Sequence, residues 1–289
     1  MKRVAVIGAS SFIGRRVSRC LRAGPSPRAV TGTTHTACPG PGDARLDVTD
    51  TRALEAFLAE DFDFVLFLAG TKDLRRCEDD LEHAVALNAR PVEAALRIVE
   101  NRGLRTRLLY FSSDYVFDGA QGGYRVADPP APRTNYGRSK VLAEELVLSA
   151  RRPHKVVRSA AVMGRGGVFF DWLVRGLRSG GELRLFRDSH FSPTPIQLIA
   201  EVLDEILAEW DALPRLLHVV GERRMSRFDL GVLVAGLLSG CTTRLVPELG
   251  AGAGAPLFQR DLSLVPSEVV RRTPRPTLER YLALEVRAC

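Results

Sequence analysis

A chain of 289 residues, 45% apolar and 26% charged, can bury a large core, as one extended α/β unit or as two linked lobes, and has an ordinary globular balance. Its net charge of +7 comes from arginines scattered along the chain, with no stretch interleaving aromatic and basic residues, which argues against a nucleic-acid face. Five widely spaced cysteines without a C-x-x-C pair argue against a disulfide framework and a structural metal and fit a reducing cytoplasm, no apolar run is long enough to span a bilayer, and "MKRVAVIG" yields to polar "ASS" too early for a signal peptide.

"KRVAVIG" (2–8) predicts a strand ending at a glycine, followed by an amphipathic helix over "FIGRRVSRCLRAG". "RAVTGT" (28–33) is a second strand, "ALEAFLAEDF" (53–62) a helix, and "DFVLFLAG" (63–70) a strand of the continuous apolar kind that parallel sheets favour. A long helical pattern covers 80–103, with Pro91 marking a break or a second start. "RLLYFSS" (107–113) is another strand, and the proline-bearing 124–134 a loop. "NYGRSKVLAEELVLSA" is a helix and "KVVRSA" (155–160) a strand. This alternation is that of a doubly wound parallel sheet, the α/β Rossmann class.

After about residue 160 the pattern loosens. "MGRGG" and "SPTP" are loops, 196–210 a strong helix, 215–221 a strand, 226–240 a helix, "ELGAGAGAP" (248–256) a flexible loop and 276–286 a closing helix. Residues 1–160 therefore form a dinucleotide-binding domain to which 193–222 return, while 161–192 and 223–289 make a smaller substrate-binding lobe. Such a lobe would close over the sheet's C-terminal edge, where open α/β sheets bind ligands.

"GASSFIG" puts Gly8 and Gly14 at the ends of the first strand-to-helix turn. Together with Ser10, Ser11, Phe12 and Ile13 they are candidates to cradle a pyrophosphate at the helix N-terminus. Ser11 stands where a middle glycine is often found. An acidic residue ending the second strand would bind a ribose diol and repel a 2′-phosphate; "VTGTTHT" (30–36) has none. Thr33, Thr34, His35 and Arg15 instead favour NADP(H), with NAD as the alternative. Asp47, with Val48 beside it, is a candidate adenine contact or a cap for the helix beginning near residue 51.

Of 41 basic residues only four are lysines: Lys2, Lys72, Lys140 and Lys155. In "YGRSK", Lys140 follows Tyr136 by one helical turn, so both leave one face. A neighbouring ammonium is expected to lower the phenol's pKa, and the phenol can then exchange a proton with a substrate oxygen. "FSSDYVFDG" (111–119) places Ser112 and Ser113 at the preceding strand end, where a hydroxyl could hold a carbonyl oxygen.

At these motifs the chain resembles the extended short-chain dehydrogenase/reductases, and within them the dTDP-4-dehydrorhamnose reductase group, whose hallmark is close to S-T-D-Y-V-F-D-G followed by Y-G-x-x-K. Further likeness runs through "CEDDLEHAVALNA" (77–89), "RDSHFSPT" (187–194), "LLHVVG" (216–221) and "QRDLSLVPSEV" (259–269). The resemblance implies that Ser113 replaces a catalytic threonine, that Tyr136 donates the proton, and that Lys140 supports Tyr136 and the nicotinamide ribose. It also implies that Asn88 is the family asparagine, that Leu68, Ala69 and Gly70 line the cofactor, and that Asp114 has a supporting role.

Sugar-nucleotide dehydratases of this superfamily carry a glutamate after the hallmark aspartate; here that position is Tyr115, which argues against elimination. The expected reaction is reduction of a 4-keto-6-deoxy sugar nucleotide, with a non-catalytic NADP-binding subunit or a reductase of a non-sugar ketone as alternatives. A homodimer is compatible with the sequence. Rhamnose-pathway enzymes resemble R-T-S-W-V-Y where this chain reads "RSAAVM" (158–163), so Ala161 and Met163 remove a stacking surface that Phe169, Phe170 or Trp172 would have to replace. Arg165, Arg184, Arg187 and Arg260 are candidates for a substrate diphosphate.

Overall fold

The computed structural model describes residues 1–24, 27–250 and 259–287. The first half runs β1 (Arg3–Ile7), α1 (Phe12–Ala23), β2 (Ala29–Thr34), β3 (Ala44–Arg45), α2 (Thr51–Leu58), β4 (Phe64–Phe67), α3 (Leu74–Asp79), α4 (Leu81–Asn88), α5 (Arg90–Asn101), β5 (Arg107–Ser113), α6 (Asn135–Ser149) and β6 (Lys155–Ser159). The second half continues with β7 (Val162–Met163), α7 (Val168–Arg178), β8 (Glu182–Phe186), β9 (His190–Phe191), β10 (Thr194–Pro195), α8 (Ile196–Ala208) and β11 (Leu216–His218). It closes with β12 (Met225–Ser226), α9 (Arg227–Leu237), β13 (Arg244–Glu248), α10 (Glu268–Arg271) and α11 (Leu278–Arg287).

The chain divides into two compact units. The first comprises Met1–Val116, Pro130–Arg158 and Ala200–Leu217. The second holds Phe117–Pro129, Ser159–Ile199 and the described residues from His218 onward. A seven-stranded sheet in the order β11-β6-β5-β4-β1-β2-β3 forms the frame of the first unit. Its central strands are parallel and nearly fully buried, as continuous apolar runs require. The register sets Ile7 level with Phe67 and Phe67 level with Tyr110. The residues just beyond therefore emerge along one edge: Gly8, Leu68 and Phe111. The core gathers Ile7, Leu54, Phe62, Phe67, Val92 and Tyr110, with α5 packed on both α2 and α6.

Local chemistry moves several boundaries. Helix α2 begins at Thr51 because Asp50 accepts the amides of Arg52 (2.9 Å) and Ala53 (3.1 Å). The expected long helix over 80–103 is two helices meeting at Ala89, and Pro91 sits in the first turn of α5, where no amide is needed. Asp80 caps α4 through the His83 amide at 2.9 Å and also ends α3, an element the sequence pattern did not reveal.

In the second unit, α7 and β8 were not expected. Phe170, Leu173, Val174 and Leu177 on α7 pack with Leu183 and Leu185 of β8 and with Leu230 and Val234 of α9. Strand β8 pairs in parallel with β13. The segments expected to be plain loops carry two-residue strands, with β7 beside β10. Residues 251–256 of the glycine-alanine stretch lie outside the described residues.

Candidate active site

The two motifs are brought together by close backbone contact. Thr134 caps α6 by accepting the Gly137 amide at 3.0 Å. A Cβ on Gly137 would stand 2.2 Å from the carbonyl oxygen of Tyr115, so only glycine lets the helix start this near the turn after β5. That turn is a single 3-10 turn over Asp114–Val116.

Ser113 ends β5 and donates to Asp114 Oδ1 at 2.8 Å. A further hydrogen bond joins Ser113 to the phenol of Tyr136, and the Tyr115 amide donates to Ser113 Oγ at 3.3 Å. Tyr136 is nearly buried, meets the Tyr115 ring edge-on at 5.6 Å and 77°, and shares a small cluster with Cys77 and Ala84. Lys140, one turn along, is also buried. Its Nζ donates to the Phe111 carbonyl at 2.8 Å and stands 4.2 Å above the Tyr110 ring. Asp114, without a specific role in the sequence reading, thus orients the Ser113 hydroxyl.

The expected fall in the Tyr136 pKa is not what this arrangement gives. Burial pushes the phenol well above its usual range; the Ser113 hydrogen bond opposes that rise, while the negative charge of Asp114 adds to it. Lys140 does not offset this, because burial pulls its own ammonium down to about 7, with Glu144 opposing. A phenol that keeps its proton suits a proton donor.

Asn88 ties the site to its neighbours. Its Oδ1 accepts the Thr71 amide at 2.9 Å, and its Nδ2 donates to Ser139 Oγ at 2.9 Å. Ser139 in turn donates to the Tyr136 carbonyl at 2.7 Å, and Tyr110 donates to the Asn88 carbonyl at 3.2 Å. Leu68, Ala69 and Gly70 follow β4 at the sheet edge, and a Cβ on Gly70 would lie 2.5 Å from Asn88 Oδ1. Ser112 is 3% exposed and its Oγ has no hydrogen-bond partner. An orphaned hydroxyl at the sheet's C-terminal edge fits a site built to meet a polar ligand group.

The phosphate turn passes the same test. Gly8 has φ +93° and would collide with the Ala69 amide at 2.9 Å if it bore a Cβ. A Cβ on Gly14 would lie 2.2 Å from the Gly8 carbonyl oxygen. Ser11 caps α1 by accepting the Gly14 amide at 3.0 Å, which leaves the amides of Phe12 and Ile13 without helical acceptors. Arg15 reaches back to the Ser10 carbonyl at 2.8 Å. A dinucleotide pyrophosphate fits this cradle.

The adenosine end differs in detail from the sequence expectation. Thr33 accepts the Gly8 amide at 3.1 Å and Thr34 donates to the Ala37 carbonyl at 3.1 Å, so both hydroxyls already shape the turn. His35 is exposed, 3.5 Å from Asp47. Asp47 accepts the amide (2.9 Å) and hydroxyl (2.7 Å) of Thr49 rather than capping α2, and Val48 packs on the core. Sequence reasoning missed Asp43. From a proline- and glycine-rich loop it accepts the Gly32 amide at 2.8 Å, and Arg22 at 2.5 Å neutralises it. Its distance in sequence from β2 hid it.

In the second unit, Phe170 is fully buried and Met163 nearly so, whereas Phe169 and Trp172 stack at 5.8 Å. They line a cleft of about 380 Å³ with Arg184 and Arg227, the latter 5.0 Å above the Phe169 ring. Arg165, Arg184, Arg187 and Arg260 are all exposed.

Comparison with known proteins is consistent across methods. A family profile described as the RmlD substrate binding domain matches residues 1–257. A probable low-salt glycan biosynthesis reductase of Haloferax volcanii is 29% identical, over 96% of this chain and 95% of that protein. A probable dTDP-4,6-dihydroxy-2-methyloxan-3-one 4-ketoreductase of Streptomyces antibioticus is 31% identical over 87% of this chain and 82% of its own length. Among solved structures, a dTDP-4-dehydrorhamnose reductase of Bacillus anthracis in complex with NADP superposes with a TM-score of 0.84. Its identity is 19%, over 100% of this chain and 99% of that one, a likeness of fold.

Proposed function

Because this chain belongs to the RmlD substrate-binding-domain family, we propose that it reduces the 4-keto group of a 4-keto-6-deoxy sugar nucleotide with NADP(H) as cofactor. Family membership makes it an NAD(P)-dependent oxidoreductase of the short-chain dehydrogenase/reductase type. The observation that carries the reaction is the hydrogen-bonded run from Tyr136 through Ser113 to Asp114, with Lys140 one helical turn away.

NADPH, when bound, supplies the hydride. The cradle of Gly8, Gly14 and the α1 N-terminus would hold its pyrophosphate, and Arg15, beside the Ser10 carbonyl, is the nearby cation for a 2′-phosphate. Tyr136 holds a proton at Oη and releases it to the substrate oxygen as negative charge develops there. The Ser113 hydroxyl holds that oxygen in place, and Asp114 orients the hydroxyl. Lys140 supports the phenol as it gives up its proton. After Asp114 comes the Tyr115 ring, not a carboxylate, which supports reduction over water elimination.

Ala161 is exposed and Met163 buried, so neither offers a stacking face. The Phe169–Trp172 pair with its flanking arginines is the surface we assign to the flat, charged part of the substrate. Trp172 is 43% exposed, so Trp172→Ala is expected to leave folding stability nearly unchanged. It should raise KM about tenfold with kcat preserved, as loss of uniform binding does. An unchanged KM would reassign the cleft.

The deciding experiment incubates the purified chain with NADPH and a panel of 4-keto sugar nucleotides and follows cofactor absorbance. Consumption with one of them supports the reading. A change in NADPH fluorescence without consumption across the panel would make the chain a binding subunit.

A further inference from the structure

Helix α6 turns a polar face inward. Tyr136, Lys140 and Glu144 are all buried and recur every fourth residue, so they form one ridge along the helix. An apolar ridge would bury more cheaply, which asks what the third member is for.

Glu144 meets Arg158 of β6, and both side chains are 2% exposed. Arg158 Nε lies 3.0 Å from each carboxylate oxygen, and Nη2 donates to Oε2 at 2.7 Å. A planar fork fixes the carboxylate more rigidly than a single donor would. Beneath the ridge lies Tyr110, with Lys140 Nζ over its ring and both Tyr136 and Glu144 raising its pKa.

We propose that Glu144, clamped by Arg158, is a positioning residue whose carboxylate keeps Lys140 an ammonium beside Tyr136. This rests on the role given to Lys140 in the proposed reductase. The charged and titratable groups packed about Lys140 are few. β5 presents Tyr110, α6 presents Tyr136 and Glu144, and β6 contributes Arg158, whose charge is matched by Glu144. Cys77 of α3 and Asp114 face Tyr136, and α4 offers the neutral Asn88. Burial alone drives the Lys140 proton off, and Glu144 is the group that opposes it. A pair serving only to fasten α6 to β6 would leave Lys140 titrating unchanged when both charges are removed.

With four lysines in the chain, labelling the lysine ε-carbons with 13C gives four NMR signals, and Lys140→Met identifies the one that matters. The cofactor-free chain is titrated as wild type, as Glu144→Gln, and as the double variant Glu144→Gln/Arg158→Met. Glu144→Gln alone strips a buried guanidinium of its carboxylate and is expected to lower stability, so the double variant, which removes both charges, carries the test. The Lys140 midpoint is expected to fall by about one pH unit or more in the double variant, and to return towards the wild-type value in Glu144→Asp. In turnover, the alkaline limb of kcat should move down by the same amount while KM for the keto substrate holds. A double variant that folds as wild type by circular dichroism with an unmoved midpoint overturns the proposal. If no keto-sugar nucleotide is consumed by the wild type, the reductase reading fails, yet the NMR midpoint still decides the role of Glu144.

Discussion

Replacing Tyr136 by phenylalanine is expected to lower kcat by about two to four orders of magnitude, the contribution of one placed general acid. The change removes a single oxygen. The ring remains edge-on to Tyr115 and in contact with Cys77 and Ala84, so the packing that holds α6 beside the turn after β5 survives. Stability should fall by only about 1 kcal/mol, the net worth of the hydrogen bond to Ser113. NADPH titration by fluorescence should show affinity within a few-fold of wild type, which separates a lost proton from a lost cofactor. The raised phenol pKa adds a direction to the expectation. In reduction the donor is already protonated throughout the neutral range, so the deficit should be the same at acid and at alkaline pH. In alcohol oxidation the phenolate is the required form, so the wild type should be slow and should quicken as pH rises. A variant as fast as the wild type in reduction would take the proton donor away from Tyr136.

The parts of this fold that could be read from the sequence are those where one residue has one physical job. Strand β5 was legible to its ends because an apolar run stops at two serines, and α6 because Thr134 caps it and its polar residues recur every four. Pro91 marked the α4–α5 junction, since a proline fits only a first turn. What escaped notice depends on partners distant in sequence. Strand β8 alternates exposed and buried positions, a period of two over five residues, but "ELRLF" lies between glycines and an arginine-rich stretch that blurs it. Two-residue strands such as β7 and β10 have no periodicity to detect. Asp43 reaches the Gly32 amide across a loop, and no local pattern announces such a contact. The spacing of Tyr136 and Lys140 was visible, whereas their burial was not. Burial reverses the expected direction of the phenol's pKa, because a tetrad of side chains at helical spacing says which face they share and nothing of the dielectric that face meets.

Gly14→Ala should lower NADPH affinity at least about a hundredfold, the loss of two charge-assisted amide contacts at roughly 1.5–3 kcal/mol each. The added methyl would sit 2.2 Å from the Gly8 carbonyl oxygen and 2.7 Å from the Ala9 Cα. Both are backbone atoms, so no rotamer change can make room, and α1 must move away from the end of β1. That movement carries the Phe12 and Ile13 amides off the phosphate position and strains the Ser11 cap, whose hydroxyl accepts the Gly14 amide. Folding stability should drop by about 1–3 kcal/mol as an overpacked contact does, read from urea melts. Gly236 supplies the contrast. It lies in α9 with nothing within 4 Å of its would-be Cβ, so Gly236→Ala should be neutral or stabilise by up to about 1 kcal/mol through helix propensity. The same substitution is thus expected to act in opposite directions at two helical glycines, and only the one wedged against β1 should touch the cofactor. If Gly14→Ala bound NADPH as the wild type does, the turn after β1 would not be where the pyrophosphate lies, and the placement of the nicotinamide beside Tyr136 would lose its anchor.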